Sequence, residues 1–194
     1  HIFNPSSFPL AVASLALLLT GTSDVTYGSF IANTQSDPPN IYLLIFLVSL
    51  PGQILFGVAR MTLVAVVTMY TISLVYFAAT GTYLFIDSHI PLPVFLGMHL
   101  LFTDPSSSPR SELGRICFGV MYAVLTTVLY VVPTAMDAAT FYDKLLPVPL
   151  MNLMVRRIHA WMATPWRSAV DPSRLGRSLT PRQRNVVVTA LWAA

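Results

Sequence analysis

The sequence predicts an all-α fold, a polytopic transmembrane helical bundle, and three observations carry that prediction. Charged residues make up 10% of the 194, against roughly 25% in ordinary soluble domains, while hydrophobic residues reach 55% and mean hydropathy is +0.67. The charges are crowded into the second half, and residues 1–103 hold only Asp24, Asp37, Arg60 and Asp87. Apolar runs recur between proline-rich breaks, several of them near the ~20 residues that a spanning helix needs. A soluble domain requires a polar shell, which the first hundred residues cannot supply. That excludes a soluble enzyme, a disordered tail and a nucleic-acid-binding domain, so the net charge of +3 has another origin than nucleic acid.

The elements follow in order. Residues 8–20 form a short run just after Pro5. Residues 41–57 carry Pro51 inside, and 61–80 is uncharged and the cleanest span. The run 89–102 is short and interrupted by Pro91 and Pro93. Residues 116–132 stop at Pro133. The run 146–162 holds Pro147 and Pro149 and ends among Arg156, Arg157 and Trp161, and a further helix begins at 186. The expected organisation is a transmembrane helical core at 1–165, a basic cytoplasmic linker at 166–185, and the start of a truncated helix at 186–194. The chain begins at His1 and stops within an apolar run at Ala194, so a longer parent protein is expected.

The charges orient the spans. With the segment before Phe8 cytoplasmic and each run crossing once, Arg60, Arg110, Arg115, Arg156, Arg157, Arg167, Arg174, Arg177, Arg182 and Arg184 share the cytoplasmic side. Asp24, Asp37, Asp87, Asp137 and Asp143, with Lys144, take the other. All ten arginines on one side is what the positive-inside rule requires. Tyr42, Tyr83, Tyr130 and Tyr142 then mark one interface, Trp161 and Trp166 the other. The arginine-rich tail from Arg156 to Arg184 reads first as a topology anchor on an anionic leaflet. A multi-pass protein of a bacterial inner (cytoplasmic) membrane is the expected localisation.

A short repeat adds detail. Phe3-Asn4-Pro5-Ser6-Ser7 and Phe102-Thr103-Asp104-Pro105-Ser106-Ser107 lie about 100 residues apart, each preceded by a histidine, His1 and His99. Proline removes a backbone donor and disfavours helix in the residue before it. At membrane depth the freed groups must be satisfied by protein or by a water-lined cavity. Two such breaks in corresponding halves point to a central site, while a pair of plain N-caps at the membrane boundary is the alternative. An acid such as Asp104 within a membrane is costly unless it lies at the interface or is neutralised, for which Arg110 and Arg115 are at hand.

The stretch 102–109 (F-T-D-P-S-S-S-P) followed by Gly114-Arg115-Ile116-Cys117-Phe118-Gly119 resembles the T-D-P-x-S-S-P…G-R-x-x-F-G signature of the RnfD/NqrB family of membrane electron-transport subunits. His1-Ile2-Phe3-Asn4-Pro5 is similar to the family's H-x-F-N-P motif, and Leu150-Met151-Asn152-Leu153 to its L-x-N-L helix. Residues 141–149 look closer to the UnbU-type relatives of enediyne gene clusters. The resemblance implies two inverted repeats with broken helices meeting centrally, in a subunit that carries flavin and takes part in electron transfer coupled to cation movement. The family's S-G-A-T flavin attachment motif is absent. Ile31-Ala32-Asn33-Thr34 and Asp137-Ala138-Ala139-Thr140 end in threonine without the Ser-Gly. A noncovalent FMN or riboflavin, or a quinone contact, is therefore expected in place of a covalent flavin, with Asn4, His99, Thr103, Asp104 and Arg115 as the cofactor-binding candidates.

Three functions stay open. The chain is a redox subunit of an ion-translocating complex, at most a non-catalytic or flavin-carrying part of an oxidoreductase; or a scaffold subunit without its own cofactor; or a small-solute or ion channel or carrier. The bilayer and other membrane subunits are the expected partners. Phe102, Phe118 and Tyr122 line a pocket on the first reading and are plain packing on the alternative. His99 is a proton relay or a packed side chain, His159 is interfacial, and Cys117 packs. No catalytic residue is assigned. A single cysteine and four scattered histidines offer no metal site.

Overall fold

A computed structural model describes residues 2–28, 30–31, 40–86, 88–140, 144–162, 164, 171–172 and 179–193. Among the described residues the chain is all-α, with no strand. Its helices are α1 (Ser7–Thr20), α2 (Ile41–Phe56), α3 (Ala59–Thr80), α4 (Leu92–Leu96), α5 (Glu112–Ala135), α6 (Pro147–Met162) and α7 (Pro181–Ala193). A π-helical turn, Gly97–Leu101, continues α4. His1, Asp37, Asp87, Tyr142, Asp143, Trp166, Arg167, Arg174 and Arg177 lie outside the described residues, as do 32–34 of the first threonine motif and most of the expected linker.

The helix boundaries follow from local chemistry. Helix α2 ends at Gly57, whose φ of 67° is left-handed. An L side chain there would be strained, and its Cβ would also meet the Asn185 amide at 2.7 Å. Helix α5 starts at Glu112, four residues before the expected 116, because Ser111 caps it by accepting from the Gly114 amide. It runs through Pro133 to Ala135, since a proline in the last turns disturbs little that follows. In α6, Pro147 and Pro149 sit in the first turn, where their missing amides are no loss. Helix α7 begins at Pro181, five residues before the expected 186. Thr180 and Gln183 bond reciprocally there as a capping box.

Helices α3 and α5 form the central pair. Their close approach depends on Gly119, where a Cβ would lie 2.6 Å from the Met61 carbonyl oxygen, and on the fully buried Ala65 and Ala123. Small residues at a helix seam let backbones approach. Helix α6 packs against α5 and α1, and α7 packs against α2 and α3. Phe102, Phe118 and Tyr122 stack in the core, with centroids of the first and last 4.5 Å apart. That is the packing role, since none of the three lines the cavity described below.

Two features matter for the site. First, α6 is not a full-length partner of α5. Tyr122, midway along α5, donates to the Lys144 carbonyl (3.4 Å) just before α6 begins, and a Cβ on Gly97 would meet the same Tyr122 hydroxyl. The chain therefore returns from the far end of α5 to its middle before α6 starts, while Ile158 near the end of α6 reaches Gly114 at the start of α5. Second, the outer surface is strongly apolar, and polar side chains are buried beside the apolar core. Leu55 is 78% exposed while Gln53, two residues earlier, is 1% exposed. Ser7, Ser14, Ser49, Thr62, Ser73 and Thr126 are buried, whereas leucines and valines of α1, α2, α3 and α5 face outward. Helices α3 and α5, with 22 and 24 residues, are long and apolar enough to cross a membrane. At 1.5 Å per residue they span about 33 and 36 Å, against a hydrocarbon core of about 30 Å.

Candidate functional site

Three chain segments that are distant in sequence meet at helix ends inside the bundle. The end of the π-turn leaves the Leu101 carbonyl without a helical partner. Asn4 supplies one, donating from Nδ2 at 2.7 Å. The Asn4 Oδ1 turns to its own chain and accepts from the Ser6 amide (2.9 Å), the Ser6 hydroxyl (2.6 Å) and the Ser7 amide (3.3 Å). It thereby caps the first turn of α1, which has no other side-chain cap.

Asp104 builds the same turn one hundred residues later. Its carboxylate accepts from the Ser106 amide (3.1 Å), the Ser106 hydroxyl (2.7 Å) and the Ser107 hydroxyl (2.8 Å). An Asx side chain followed by proline closes such a turn on the residue two positions ahead. The sequence repeat is thus a repeat of local structure. The two copies differ in one respect: Asn4 caps a helix, while Asp104 turns a loop, and the helix behind it waits for the Ser111 cap. Burial pushes the Asp104 carboxyl up, but the Ser106 and Ser107 donors outweigh it and hold the group below the usual carboxylate range.

The third segment is α6. With its amide oriented to suit its neighbours, Asn152 donates to the carbonyls of Ser107 (3.2 Å) and Val148 (3.3 Å) and accepts from the Asn4 amide (3.0 Å). It is 4% exposed. The two Asx-Pro-Ser-Ser turns are therefore joined through Asn4–Leu101 on one side and Asn4–Asn152–Ser107 on the other. Sequence reasoning quoted Asn152 within a motif but did not place it at the site. The signal was there, a lone carboxamide in an apolar helix.

The candidate residues divide. Asn4 and Asp104 belong to this junction. His99 and Thr103 face a neighbouring cavity. Arg115 is elsewhere: its Nη1 donates to the Gly57 carbonyl (2.6 Å) and meets Glu112 (3.3 Å), and its Nε donates to the Pro109 carbonyl (3.3 Å). Glu112 also pairs with Arg60 at 3.1 Å. This cluster ties the α2–α3 turn to the start of α5, so Arg115 does not neutralise Asp104. Arg110 is exposed.

The cavity has a volume of about 240 Å³ and is lined by α2 (Ser49, Gly52, Gln53), by His99 and Thr103, and by Asp104 at one edge. His99 Nδ1 lies 2.8 Å from the Phe95 carbonyl, which can only accept, so the ring proton sits on Nδ1. Nε2 then presents a lone pair, and it has no partner. Gln53 donates to Ser49 Oγ at 2.8 Å, yet its Oε1 is also unpartnered. Both residues are at least 98% buried. A buried acceptor left unmade costs about 1–3 kcal/mol, so two on one wall mark the place where the interior is least satisfied. Trp192 of α7 stacks on His99, with centroids 5.8 Å apart, and closes that side. Gln53 was not among the sequence candidates, although a carboxamide within the apolar run 41–57 is the kind of residue that marks a site.

Among the described residues no group of His, Cys, Asp or Glu is placed to hold a metal ion. Comparison of the chain with protein-family models, curated proteins and solved structures finds no match.

Proposed function

We propose that the chain is an integral membrane subunit of RnfD/NqrB type, working within a multi-subunit electron-transfer complex of a bacterial inner membrane. The observation that carries this reading is the junction. The three segments that resemble that family, around Asn4, Asp104 and Asn152, meet at helix ends. Broken helices of two inverted repeats that meet one another would bring them together so.

The outward-facing leucines and valines and the inward-facing serines and threonines support membrane insertion. So does the share of the two long apolar stretches buried inside the protein, 33% and 28%, which is too little for the core helices of a soluble domain. The hydroxyls bond back to carbonyls one turn earlier, as Thr71 does to Val67 and Thr127 to Ala123, the habit of polar residues in lipid. Arg60 and Arg115 sit at one end with Ile158 and its neighbours Arg156 and Arg157, which supports a cytoplasmic arginine face.

The cavity beside His99 and Thr103 does not fit a flavin mononucleotide. The cavity is below the roughly 300–1,000 Å³ of pockets that enclose drug-sized ligands, and Arg115 is committed to Gly57 and Glu112. The reading therefore assigns flavin and quinone contacts to the outer surface or to partner subunits, and this chain supplies the helical scaffold between them. Isolation from its native membrane through an affinity tag tests this. The expected result is detergent-dependent recovery together with subunits that carry a flavin or iron–sulfur absorption band. Recovery in the soluble fraction overturns the membrane assignment, and an intact assembly with no chromophore overturns the electron-transfer role.

A further inference from the structure

We propose that the groove between α2 and the chain from the π-turn to Pro105 holds one anionic phospholipid of the cytoplasmic leaflet. One acyl chain lies along α2, and the phosphate sits among the arginines at the end of that helix. The proposal rests on the membrane assignment and not on the electron-transfer role.

The groove offers hydrocarbon to whatever enters it. Its polar wall residues, Ser49, Gln53, His99 and Thr103, are at most 8% exposed. The hydroxyls of Ser49 and Thr103 are spent on the Phe46 and His99 carbonyls, and Gln53 turns to Ser49. The open surface belongs to Val48, Gly52 and Phe56 on one side and to Leu100 and Pro105 on the other, with Asp104 at the lip. Val48, Phe56 and Leu100 are 63%, 56% and 47% exposed, so the groove opens sideways onto the apolar outer face.

Its direction and length match a lipid chain. Val48, Gly52 and Phe56 recur every fourth residue and form one stripe along α2. From first to last they cover about 12 Å at 1.5 Å per residue, against about 15 Å for one leaflet's half of the hydrocarbon core. Gly52 keeps the middle of the stripe hollow, since a Cβ there would meet nothing within 4 Å.

The charges at the end of the stripe select the headgroup. Phe56 is followed by Gly57, whose carbonyl accepts from Arg115 Nη1 at 2.6 Å. Arg115 shares Glu112 with Arg60. Asn185 of α7 lies against Gly57, with Arg184 beside it in sequence and Arg182 one turn earlier. Asp171 accepts from the Leu113 amide at the same end. Four guanidiniums therefore stand with the carboxylates of Glu112, Asp171 and Asp104, and the exposed Arg110 adds a fifth. The excess is positive. Arginine near the membrane surface favours an anionic lipid, whereas a zwitterionic lipid brings its own cation and gains less.

The test reads the lipid that the purified chain retains and the place where a lipid chain touches it. Recovered in mild detergent and washed with a second one, the wild-type chain should keep one phosphatidylglycerol by native mass spectrometry, in preference to phosphatidylcholine. Gly52→Phe fills the groove and should lower retention about tenfold or more, through lost burial of the chain. Leu47→Phe, at an outward position that does not line the groove, should leave it unchanged. Arg182→Gln should reduce the preference for phosphatidylglycerol about fivefold. A phosphatidylglycerol with a photoreactive acyl chain should cross-link to residues 48–56 in preference to 41–47, although both stretches face outward; this arm needs no variant and serves if Gly52→Phe fails to fold. Absence of retained lipid, equal retention in Gly52→Phe, equal retention of the two lipids, or even cross-linking along α2 overturns the proposal. Recovery of the chain in the soluble fraction overturns the membrane assignment instead, so the two failures are distinguishable.

Discussion

The junction and the cavity are neighbours built from the same polar vocabulary, yet they differ in how that vocabulary is used. At the junction the Asn4 and Asn152 carboxamides and the Asp104 carboxylate are engaged at both ends, each bonding groups that a broken helix or a proline would leave bare. On the cavity wall Gln53 and His99 are engaged at one end only. A fully satisfied polar set fixes structure, and a half-satisfied one costs stability. The difference separates what holds the bundle together from what only lines its cavity.

The sharpest way to break that contrast is Asn4→Leu. It strips the Leu101 carbonyl of its donor and uncaps α1, while the Asn4 backbone amide stays available to Asn152. We expect a loss of about 2–4 kcal/mol, read as a large fall in the thermal unfolding midpoint in detergent. Asn152→Leu should cost somewhat less, about 1–3 kcal/mol, because Asn4 and Leu101 keep their own bond. A double substitution should cost less than the sum of the two, since both act on one network. Additive effects in that cycle would show that the turns are held separately.

The wall should behave differently. Gln53→Met keeps the side-chain volume and removes both an acceptor that nothing meets and the bond donated to Ser49, two effects of opposite sign. We expect a net change within about 1 kcal/mol of nil in the same unfolding assay without added ligand. A loss comparable to that of Asn152→Leu would mean that Gln53 is structural and that the contrast between the two regions is false.

Much of the fold was readable, for physical reasons that also explain what was not. The run 61–80 is continuous and uncharged, and α3 follows it within two residues. The sequence treated 146–162 as a complete crossing. Periodicity and hydropathy report what a helix faces but not how deep it starts, and only the contact of Tyr122 with Lys144 places the start of α6 beside the middle of α5. The start of α7 was read late because the polar stretch 171–184, with Pro172, Gly176 and Pro181, suggested linker, although Thr180, Pro181 and Gln183 already spell a helix beginning. At the site, the Asn-Pro and Asp-Pro repeat announced the two turns. That they bond to one another, and that Asn152 joins them, depends on contacts across some 50 to 150 residues, which no local pattern encodes. Arg115 shows the reverse case: it lies in the most specific motif of the chain, yet its guanidinium serves a turn of the backbone.

The smallest expected effect concerns Asp104, and it tests whether the second turn is as firmly made as the first. The folded carboxyl lies below its ordinary value because the serine donors favour the charged form over the opposing effect of burial. A group with a depressed folded value stabilises the protein at pH above the ordinary carboxylate range, and that contribution is lost as pH falls through the folded value. The wild-type protein should therefore lose stability over the acid side of this range by slightly more than Asp104→Asn, which keeps an acceptor for the Ser106 amide and has no charge to lose. The measurement is the difference between the two unfolding midpoints as a function of pH. Parallel curves would mean that the carboxylate gains nothing from Ser106 and Ser107. In that case the resemblance between the two turns would end at backbone shape, and the Asn4 copy alone would hold the junction.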